Sequence, residues 1–232
     1  NNVLITFDPG ITTITLDSSL PYISIEDGSI TIDGGNHVTI VKSFGGAGYG
    51  FKIGNELPVN NSTGNSIRNL ELDGFENGII LYGDNNRVEN VIVSGPMVAS
   101  ACSNLGQHGI STVRRNTDDV VNNTISNNTV TCYRKGIFLQ NPSGTIVSGN
   151  TVTRNTSTVD LTGSQVFNDV NPCFVTGIEI QGSYTLGSAS LQKNFITNNE
   201  ITNNGFETAV GPCASLPFRS AGIIVDLYGD TS

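Results

Sequence analysis

Three stretches of the sequence share one pattern: residues 123–131 read NTISNNTVT, residues 144–153 read GTIVSGNTVT, and residues 194–202 read NFITNNEIT. In each stretch an aliphatic residue is followed three positions later by asparagine and five positions later by a second aliphatic residue. Residues 67–72 and 88–93 keep this spacing, with Leu70 and Val91 in the asparagine position. A pattern that returns in this way predicts one structural unit repeated along the chain.

Each repeat needs a bend to bring its three marked positions to one side. Side chains alternate across a strand, so residues three apart would otherwise face opposite sides. We therefore expect two short strands joined by a bend, followed by a third strand at a Gly-Ile segment. These segments lie at residues 78–81, 109–111, 136–139, 177–180 and 222–225. The chain should then wind around a core, with coils stacked about 4.8 Å apart as parallel strands.

The asparagines at the bend predict a ladder between coils. Asn128, Asn150 and Asn199 hold the same position in successive coils. Inward amides at strand spacing can hydrogen-bond from coil to coil, which satisfies groups that are costly to bury alone.

The domain organisation follows from the same repeat. We expect a single domain over residues 1–232, with five regular coils in 65–232. Loop insertions at one corner are expected at 95–107, 154–176 and 203–221. Residues 1–64 should form less regular early coils or a cap, with the apolar segment 3–7 lying over the end of the coil stack.

The repeats and the Gly-Ile segments resemble the secreted right-handed parallel β-helix repeat proteins of the pectate-lyase-like and NosD-like group. The opening of the chain, ITFDPGITTITLDSSLPYIS at 5–24 and GSITIDGGN at 28–36, is similar to the first coils of large surface proteins of filamentous bacteria. The resemblance implies an all-β fold, a right-handed parallel β-helix (a solenoid) with three short strands per coil. It implies little about activity, because this fold hosts lyases, hydrolases, epimerases, adhesins and structural fibres.

Four cysteines precede Gly-Ile strands at one corner of successive coils: Cys102, Cys132, Cys173 and Cys213. A disulfide requires Cα atoms within about 7 Å. Coil spacing therefore favours the pairs Cys102–Cys132 and Cys173–Cys213 over the two other pairings. A four-thiolate metal site is the alternative, but these cysteines lack the short spacing of such sites, and we expect no metal.

Composition limits the classes of partner. The chain has 11 Lys and Arg against 20 Asp and Glu, a net charge of −9, which argues against nucleic acid as a partner. No apolar run approaches about 20 residues, so we expect no direct membrane insertion. Four cysteines and the sequons at Asn60, Asn61, Asn122, Asn127 and Asn155 fit an extracellular or cell-surface location. A chain with 28 Asn and 24 Thr also produces such sequons by chance.

The best candidate for catalysis is a pair of outward carboxylates, Glu179 and Asp226, on neighbouring coils, with Arg219 near in sequence. Such a set suits acid and base chemistry on a polysaccharide, as in a lyase or a glycoside hydrolase. Ca²⁺ is expected only for a lyase, and no other cofactor is expected. The alternative is that these are ordinary surface acids. The QHGIS segment at 107–111 resembles a polygalacturonase motif, but its order relative to Asp118 and Asp119 differs, and we interpret it as coincidence.

A second candidate site is the outward face of the Gly-Ile strands. Ile80, Phe138 and Ile224 should face outward there, with Tyr82 close by. Exposed aliphatic side chains indicate a docking face for another chain, and the two aromatic rings could stack on sugars. The alternative is that the insertions at 154–176 and 203–221 cover these residues.

The features together favour a secreted or cell-surface structural or adhesive protein, a protomer or module of an extracellular fibre or sheath. Its partners would be further copies of itself, other surface proteins or an extracellular glycan. The alternatives are a polysaccharide-active enzyme and a glycan-binding module without turnover. Whether the chain is an enzyme stays open, with catalysis the less favoured interpretation.

Overall fold

The computed structural model describes residues 2–18, 29–45, 48–54, 62–98, 101–102, 106–113, 120–153, 156–157, 174–184, 194–206 and 219–229. The regular secondary structure in these ranges is β-strand. The strands in chain order are β1 (Val3–Thr6), β2 (Thr13–Leu16), β3 (Ile30–Asp33), β4 (Thr39–Lys42), β5 (Tyr49–Ile53), β6 (Ser66–Asp73), β7 (Asn77–Leu81), β8 (Arg87–Ser94), β9 (Met97–Val98), β10 (Ala101–Cys102), β11 (Gly106–Thr112), β12 (Val120–Val121), β13 (Thr124–Ser126), β14 (Thr129–Thr131), β15 (Tyr133–Gln140), β16 (Pro142–Ser143), β17 (Ile146–Ser148), β18 (Thr151–Thr153), β19 (Thr156–Ser157), β20 (Phe174–Tyr184), β21 (Phe195–Thr197), β22 (Glu200–Thr202), β23 (Gly205–Phe206) and β24 (Arg219–Gly229). No helix in these ranges is long and apolar enough to cross a membrane.

Two large parallel sheets wind around a common core. In the first sheet one row of strands runs β1-β3-β6-β8-β13-β17-β21, and a second row runs β2-β4-β6-β8-β14-β18-β22. β6 and β8 belong to both rows because each continues through the bend between them. The second sheet has the order β5-β7-β11-β15-β20-β24. Each turn of the chain adds one strand to every row, so the fold is the predicted parallel β-helix with three strands per coil.

The residues before the first regular coil extend the stack. β1 pairs in register with β3, with Val3 opposite Ile30 and Ile5 opposite Ile32. β3 in turn pairs with β6. This strand is thus the outermost described strand of the first sheet and forms part of an early coil.

Each bend is built on a residue in the left-handed backbone region. Between the two rows of the first sheet these residues have φ values from 53° to 66° and are Asn69, Asn90, Asn127, Gly149 and Asn198. Ahead of the first row they have φ values from 55° to 72° and are Gly64, Asn85, Asn122 and Gly144. Glycine and asparagine enter this region at lower cost than other residues. The bends thus account for many of the chain's asparagines, a role that the sequence analysis did not assign.

The predicted asparagine ladder lies just inside the bend between the rows. The Oδ1 atom of Asn150 accepts hydrogen bonds from the backbone N and from the Nδ2 of Asn128, at 2.9 and 3.0 Å. The Oδ1 of Asn199 accepts the same two bonds from Asn150, both at 2.9 Å. Each of the three amides also donates, at 2.9 Å, to a backbone carbonyl of the preceding coil, namely those of Val88, Ile125 and Val147.

A second ladder, which the sequence analysis missed, lies at the bend ahead of the first row. The backbone N and the Nδ2 of Asn65 both donate to the Oδ1 of Asn86 at 2.9 Å. The backbone N of Asn86 donates to the Oδ1 of Asn123 at 2.8 Å. Thr145 interrupts the ladder, and within the described part of the chain its buried Oγ1 has no hydrogen-bond partner. Asn194 resumes it by accepting a bond from the Thr145 backbone N at 2.9 Å.

Columns of aliphatic side chains fill the core between the sheets. Strand register places each of these side chains beside its equivalent in the next coil. The fully buried members of the first column are Ile67, Val88, Ile125 and Val147, and those of the second are Leu72, Val93, Val130 and Val152. Those of the third are Ile79, Ile110, Ile137 and Ile178. A fourth column contains a polar residue, since Thr112 lies between Leu81 and Leu139. Thr112 is fully buried, and its Oγ1 has no hydrogen-bond partner among the residues that the structure describes.

The ladder predicts a large loss of stability for Asn150→Ala. This change removes the two bonds that the Oδ1 of Asn150 accepts from Asn128 and the two that its amide donates to Asn199 and to the carbonyl of Ile125. The backbone N of Asn128 then loses its acceptor inside the core. Each buried polar group left unpaired costs about 1–3 kcal/mol, so the free energy of unfolding should fall by about 3 kcal/mol or more. Urea denaturation measures this loss. Asn198→Gly, one residue away on the exposed side of the bend, should change it by less than about 1 kcal/mol; equal effects of the two changes would contradict the ladder's role.

The unpaired hydroxyl in the core predicts that Thr112→Val stabilises the fold. Valine keeps the shape of the side chain and removes a buried group without a partner, so the free energy of unfolding should rise by about 1 kcal/mol. Thr112→Ser keeps the hydroxyl and loses the methyl group, and it should lower stability by a similar amount. Thermal and urea denaturation compare the three proteins. A valine variant less stable than the wild type would show that the hydroxyl is satisfied.

Candidate functional site

The outward face of the second sheet, where the sequence predicts a docking surface, is closed. Register places Phe138, Glu179 and Ile224 side by side, as expected. Ile80, Tyr82 and Phe138, however, are only 5%, 3% and 6% exposed, and Ile224 is half-buried. Side chains at this depth do not offer a free surface to a protein or a sugar. Residues 158–173 and 207–218 of the two long insertions lie outside the described residues, so the expectation that the insertions cover this face stays a prediction.

A buried ion pair lies on this face. The Nζ of Lys135 is 3.2 Å from the Oε1 of Glu179, and both side chains are less than a tenth exposed. The Oγ1 of Thr176 donates to the Oε2 of Glu179 at 3.3 Å. Lys135 also lies 4.3 Å from the centre of the Phe138 ring. Both oxygens of the carboxylate are thus engaged, and its charge is compensated within the protein.

His108 completes this cluster. It is the register neighbour of Lys135, and its ring stacks on Phe138 with centroids 4.8 Å apart and an angle of 14° between planes. Burial of the ring, together with the nearby charges of Lys135 and Arg134, lowers the pKa of His108 to about 3. Its Nε2 is buried and has no hydrogen-bond partner among the described residues. His108 therefore serves as a neutral, flat packing group in β11.

Tyr82 is also engaged within the protein. The Nζ of Lys52 lies 5.3 Å from the centre of its ring and 5.5 Å from that of Tyr49. Nearby, the Nζ of Lys42 contacts the Oε1 of Glu76 at 2.6 Å, and the Oε2 of Glu76 accepts a bond from the Gly48 backbone at 2.8 Å. Charges and rings on this side of the solenoid thus pair with each other.

Strand register separates the three residues proposed for catalysis. Glu179 pairs with Ile224, whereas Asp226 pairs with Gln181, one outward position further on. Arg219 pairs with Phe174 and lies seven residues from Asp226 along β24, about 20 Å in an extended strand. Arg219 is therefore too distant to act beside the two acids, which corrects that part of the expected set. The side chains of Arg219 and Asp226 are not among those described.

The chemistry of the described cluster suits packing better than proton transfer. Both oxygens of the Glu179 carboxylate are engaged by Lys135 and Thr176, so neither is placed to contact a substrate. Within the described ranges, no three His, Cys, Asp or Glu side chains come together as metal ligands would.

Cys132 forms a disulfide bond, at a bend where its φ is 65°. Its partner is not among the described side chains. Cys102 lies in β10, where its backbone pairs with Met97 of β9, while Cys173 and Cys213 lie outside the described residues. The pairs Cys102–Cys132 and Cys173–Cys213 stay predictions.

Both ends of the solenoid expose apolar side chains that occupy core positions. At the last coil, Ile223 and Val225 are 48% and 59% exposed, whereas their register partners Ile178 and Ile180 are 0% and 8% exposed. At the first coil, Ile5 continues the column of Ile32 but is 39% exposed. Further large apolar side chains exposed near the ends are Val3, Leu4, Ile11 and Phe195.

The strands at the two ends have one free edge each among the described strands. β1 pairs only with β3 and β2 only with β4, while β21, β22 and β24 pair only with the strands of the coil before them. The N–H and C=O groups along such edges are available to another strand. The ends thus combine free backbone groups with exposed core positions, and they are the most accessible apolar surfaces described.

The described residues form a parallel β-helix whose first and last coils expose core positions. Residues 55–231 match the family model described as right-handed beta helix region, and the chain belongs to this family. No curated protein sequence and no solved structure matches the chain significantly.

The buried histidine predicts a pH dependence of stability. The pKa of His108 is about 3 in the folded protein against 6.5 for an ordinary histidine, so the unfolded chain binds the proton more readily. The stability due to the neutral ring is complete above pH 6.5 and is lost as the pH falls towards 3. Between pH 7.5 and 5 the wild type should lose about 2 kcal/mol that His108→Phe retains, because phenylalanine keeps a flat ring and does not titrate. Urea denaturation across this range measures the difference, and parallel pH profiles would contradict it.

Proposed function

We propose that this protein is a structural β-helix module of the extracellular space or the cell surface, and that copies of it assemble coil on coil through their ends. The observation that carries the proposal is the exposure of core positions at the last coil. Ile223 and Val225 continue columns that are buried one coil earlier. A further coil laid on this end would bury them in the same way.

The two ends are complementary in register. A second copy that follows the last coil would bring its β1 to the free edge of β21 and its β2 to that of β22. Ile5 would then extend the column that ends at Ile196, and Ile14 the column that ends at Ile201. Each aliphatic side chain buried in this way contributes about 1–2 kcal/mol, and the edge hydrogen bonds fix the register.

Contacts between unlike ends produce open chains of protomers. A head-to-tail interface repeats without limit unless its rotation closes a ring. A solenoid whose strands are parallel and in register adds each copy along one axis, so the expected product is a fibre.

An extracellular location is part of the proposal, supported by covalent chemistry and by composition. A disulfide such as that of Cys132 persists in oxidising compartments. Only 13% of the residues are charged, and the polar surface comes from uncharged side chains. Within this role the partners would be further copies, other surface proteins or an extracellular glycan.

A polysaccharide-active enzyme remains the alternative, and it has weaker support. Glu179 would have to leave Lys135 and Thr176 before it could act on a substrate, and breaking a buried ion pair costs several kcal/mol. The structural proposal needs no such rearrangement.

Mass photometry and negative-stain electron microscopy of the purified chain test the assembly. The wild type should form linear oligomers or fibres that lengthen with concentration. Ile5→Glu and Val225→Glu each place a charge at one end, and each should leave monomers, with an apparent dissociation constant raised at least about tenfold. Ile146→Glu, at a similarly exposed aliphatic residue on the side of the solenoid, should assemble as the wild type does.

Mixing the two end variants tests which ends meet. One variant keeps an intact last coil and the other an intact first coil, so an equal mixture should form dimers and nothing larger. Dimers of either variant alone would show that like ends pair. A wild type that stays monomeric at every concentration would overturn the proposal.

A further inference from the structure

A pocket of about 210 Å³ opens beside the bend of the first sheet, on the second to fourth coils. Its lining residues are Asn36, His37, Val38, Thr39, Leu70, Glu71, Asn90 and Ile92. Residues 34–38 form one wall, as the turn between β3 and β4. The bends of β6 and β8 form the other. The coil of β3 and β4 bends through a separate turn, whereas β6 and β8 continue through the bend as unbroken strands. The pocket lies where these two kinds of bend meet.

The turn that forms the wall is held rigidly. Gly34 lies so close to β6 that a Cβ there would be 2.5 Å from the carbonyl oxygen of Asn69 and from the Cβ of Leu70. The Oδ1 of Asp33 accepts bonds from the Gly35 backbone at 3.0 Å and from the Nδ2 of Asn69 at 2.9 Å. Its Oδ2 accepts a bond from the Nε of Arg68 at 2.9 Å. The pocket is therefore formed before any ligand binds.

His37 gives this wall a fixed edge. Its Nδ1 is 3.2 Å from the carbonyl oxygen of Gly35, and its Nε2 is 3.3 Å from that of Asp8. Both ring nitrogens face backbone acceptors, so the imidazole is oriented by the protein.

The polar groups of the pocket include unused hydrogen-bonding atoms. The Oε2 of Glu71 accepts a bond from the Oγ1 of Thr39 at 3.0 Å, while its Oε1 has no partner among the described residues. The side-chain amide of Asn36 makes no hydrogen bond within the described residues. The Nδ2 of Asn90 donates to Asn69 at 3.2 Å, which leaves the Oδ1 of Asn90 free within the same ranges.

Apolar atoms complete the lining. Val38 and Leu70 lie at its base and are almost fully buried, while Ile92 is 41% exposed at its rim. Ile92 is also the register neighbour of Glu71, so an aliphatic surface and a carboxylate lie side by side.

We propose that this pocket binds a single neutral pyranose unit of a glycan. Its volume is below the roughly 300–1,000 Å³ of pockets for drug-sized ligands, which suits one sugar ring. A carboxylate oxygen and a primary amide supply the acceptor and the donor that neighbouring sugar hydroxyls require. Ile92, exposed at the rim, would contact the C–H groups of the ring, above the buried Leu70. The described lining contains no lysine or arginine beside Glu71, so uronates and sulfated or phosphorylated sugars are disfavoured.

Saturation-transfer difference NMR with the methyl pyranosides of glucose, galactose and mannose tests this site, with methyl galacturonate as the acidic counterpart. The method observes the sugar, so it works whether or not the protein assembles. The neutral sugars should show transfer with dissociation constants in the millimolar range, as expected for a small ligand with few hydrogen bonds. The galacturonate should show at least about tenfold weaker binding.

Three variants locate the signal. Glu71→Gln should weaken binding at least about tenfold, because it replaces an accepting carboxylate oxygen by an NH₂ group that only donates. Asn36→Gly removes the amide and tolerates the φ of 61° at this position, and it should also weaken binding. Glu200→Gln is the matched control, because Glu200 occupies the same outward column as Glu71, four strands away. Circular dichroism checks that each variant is folded.

Any of three results would overturn the inference. These are no transfer to any neutral sugar, equal transfer to the galacturonate, or equal binding by the wild type and Glu71→Gln. These results leave the assembly proposal untouched, because assembly is tested separately by changes at Ile5 and Val225, which do not line the pocket.

Discussion

The hydrogen bonds that asparagine side chains make from coil to coil are the interaction on which this structure depends. A coil must bend to close around the core, and each bend turns backbone N–H and C=O groups inward, where water does not reach them. At one bend Asn128, Asn150 and Asn199 satisfy these groups in both directions along the axis. The residue just before each of them takes the left-handed conformation that makes the bend possible. Of two adjacent residues, the first thus forms the bend by its backbone conformation, and the second satisfies the inward backbone groups by its side-chain amide.

Much of this arrangement could be predicted because it is periodic. The spacing of Ile125, Asn128 and Val130 recurs in the chain, and it gave the bend, the ladder and the core columns. The second ladder was missed because Asn65 and Asn86 precede the aliphatic position from which the repeats were aligned. The ion pair was missed for the same reason. The outward positions were counted from the Gly-Ile segments, which includes Glu179 but not Lys135, because Lys135 comes just before its segment.

Burial of the second sheet's outer face could not be predicted from periodicity. Alternation along a strand tells which side a residue faces, and it does not tell what lies above that side. Phe138 faces outward as expected and is nevertheless buried, beside a lysine that neutralises Glu179. The distance of Arg219 from the acids was missed because residues 203–221 were expected to form an insertion, whereas Arg219 begins β24 and lies seven residues from Asp226 along it. Within the described residues, the search for function therefore turns to accessible surfaces such as the ends and the bend of the first sheet.

In the proposed assembly the pocket would stay accessible, because its lining residues lie in neither the first nor the last coil. Each row of the first sheet contains seven strands, so a stacked copy would repeat about every 34 Å along the axis. A pocket on the side of the solenoid would recur at this interval, facing a direction set by the twist between copies. Millimolar affinity for one sugar is weak, but several sites on a rigid axis meet a polymeric glycan at a high effective concentration, which multiplies the overall affinity. On this view the asparagine ladders matter to binding as well as to folding, because they hold the spacing on which such multivalent contact depends.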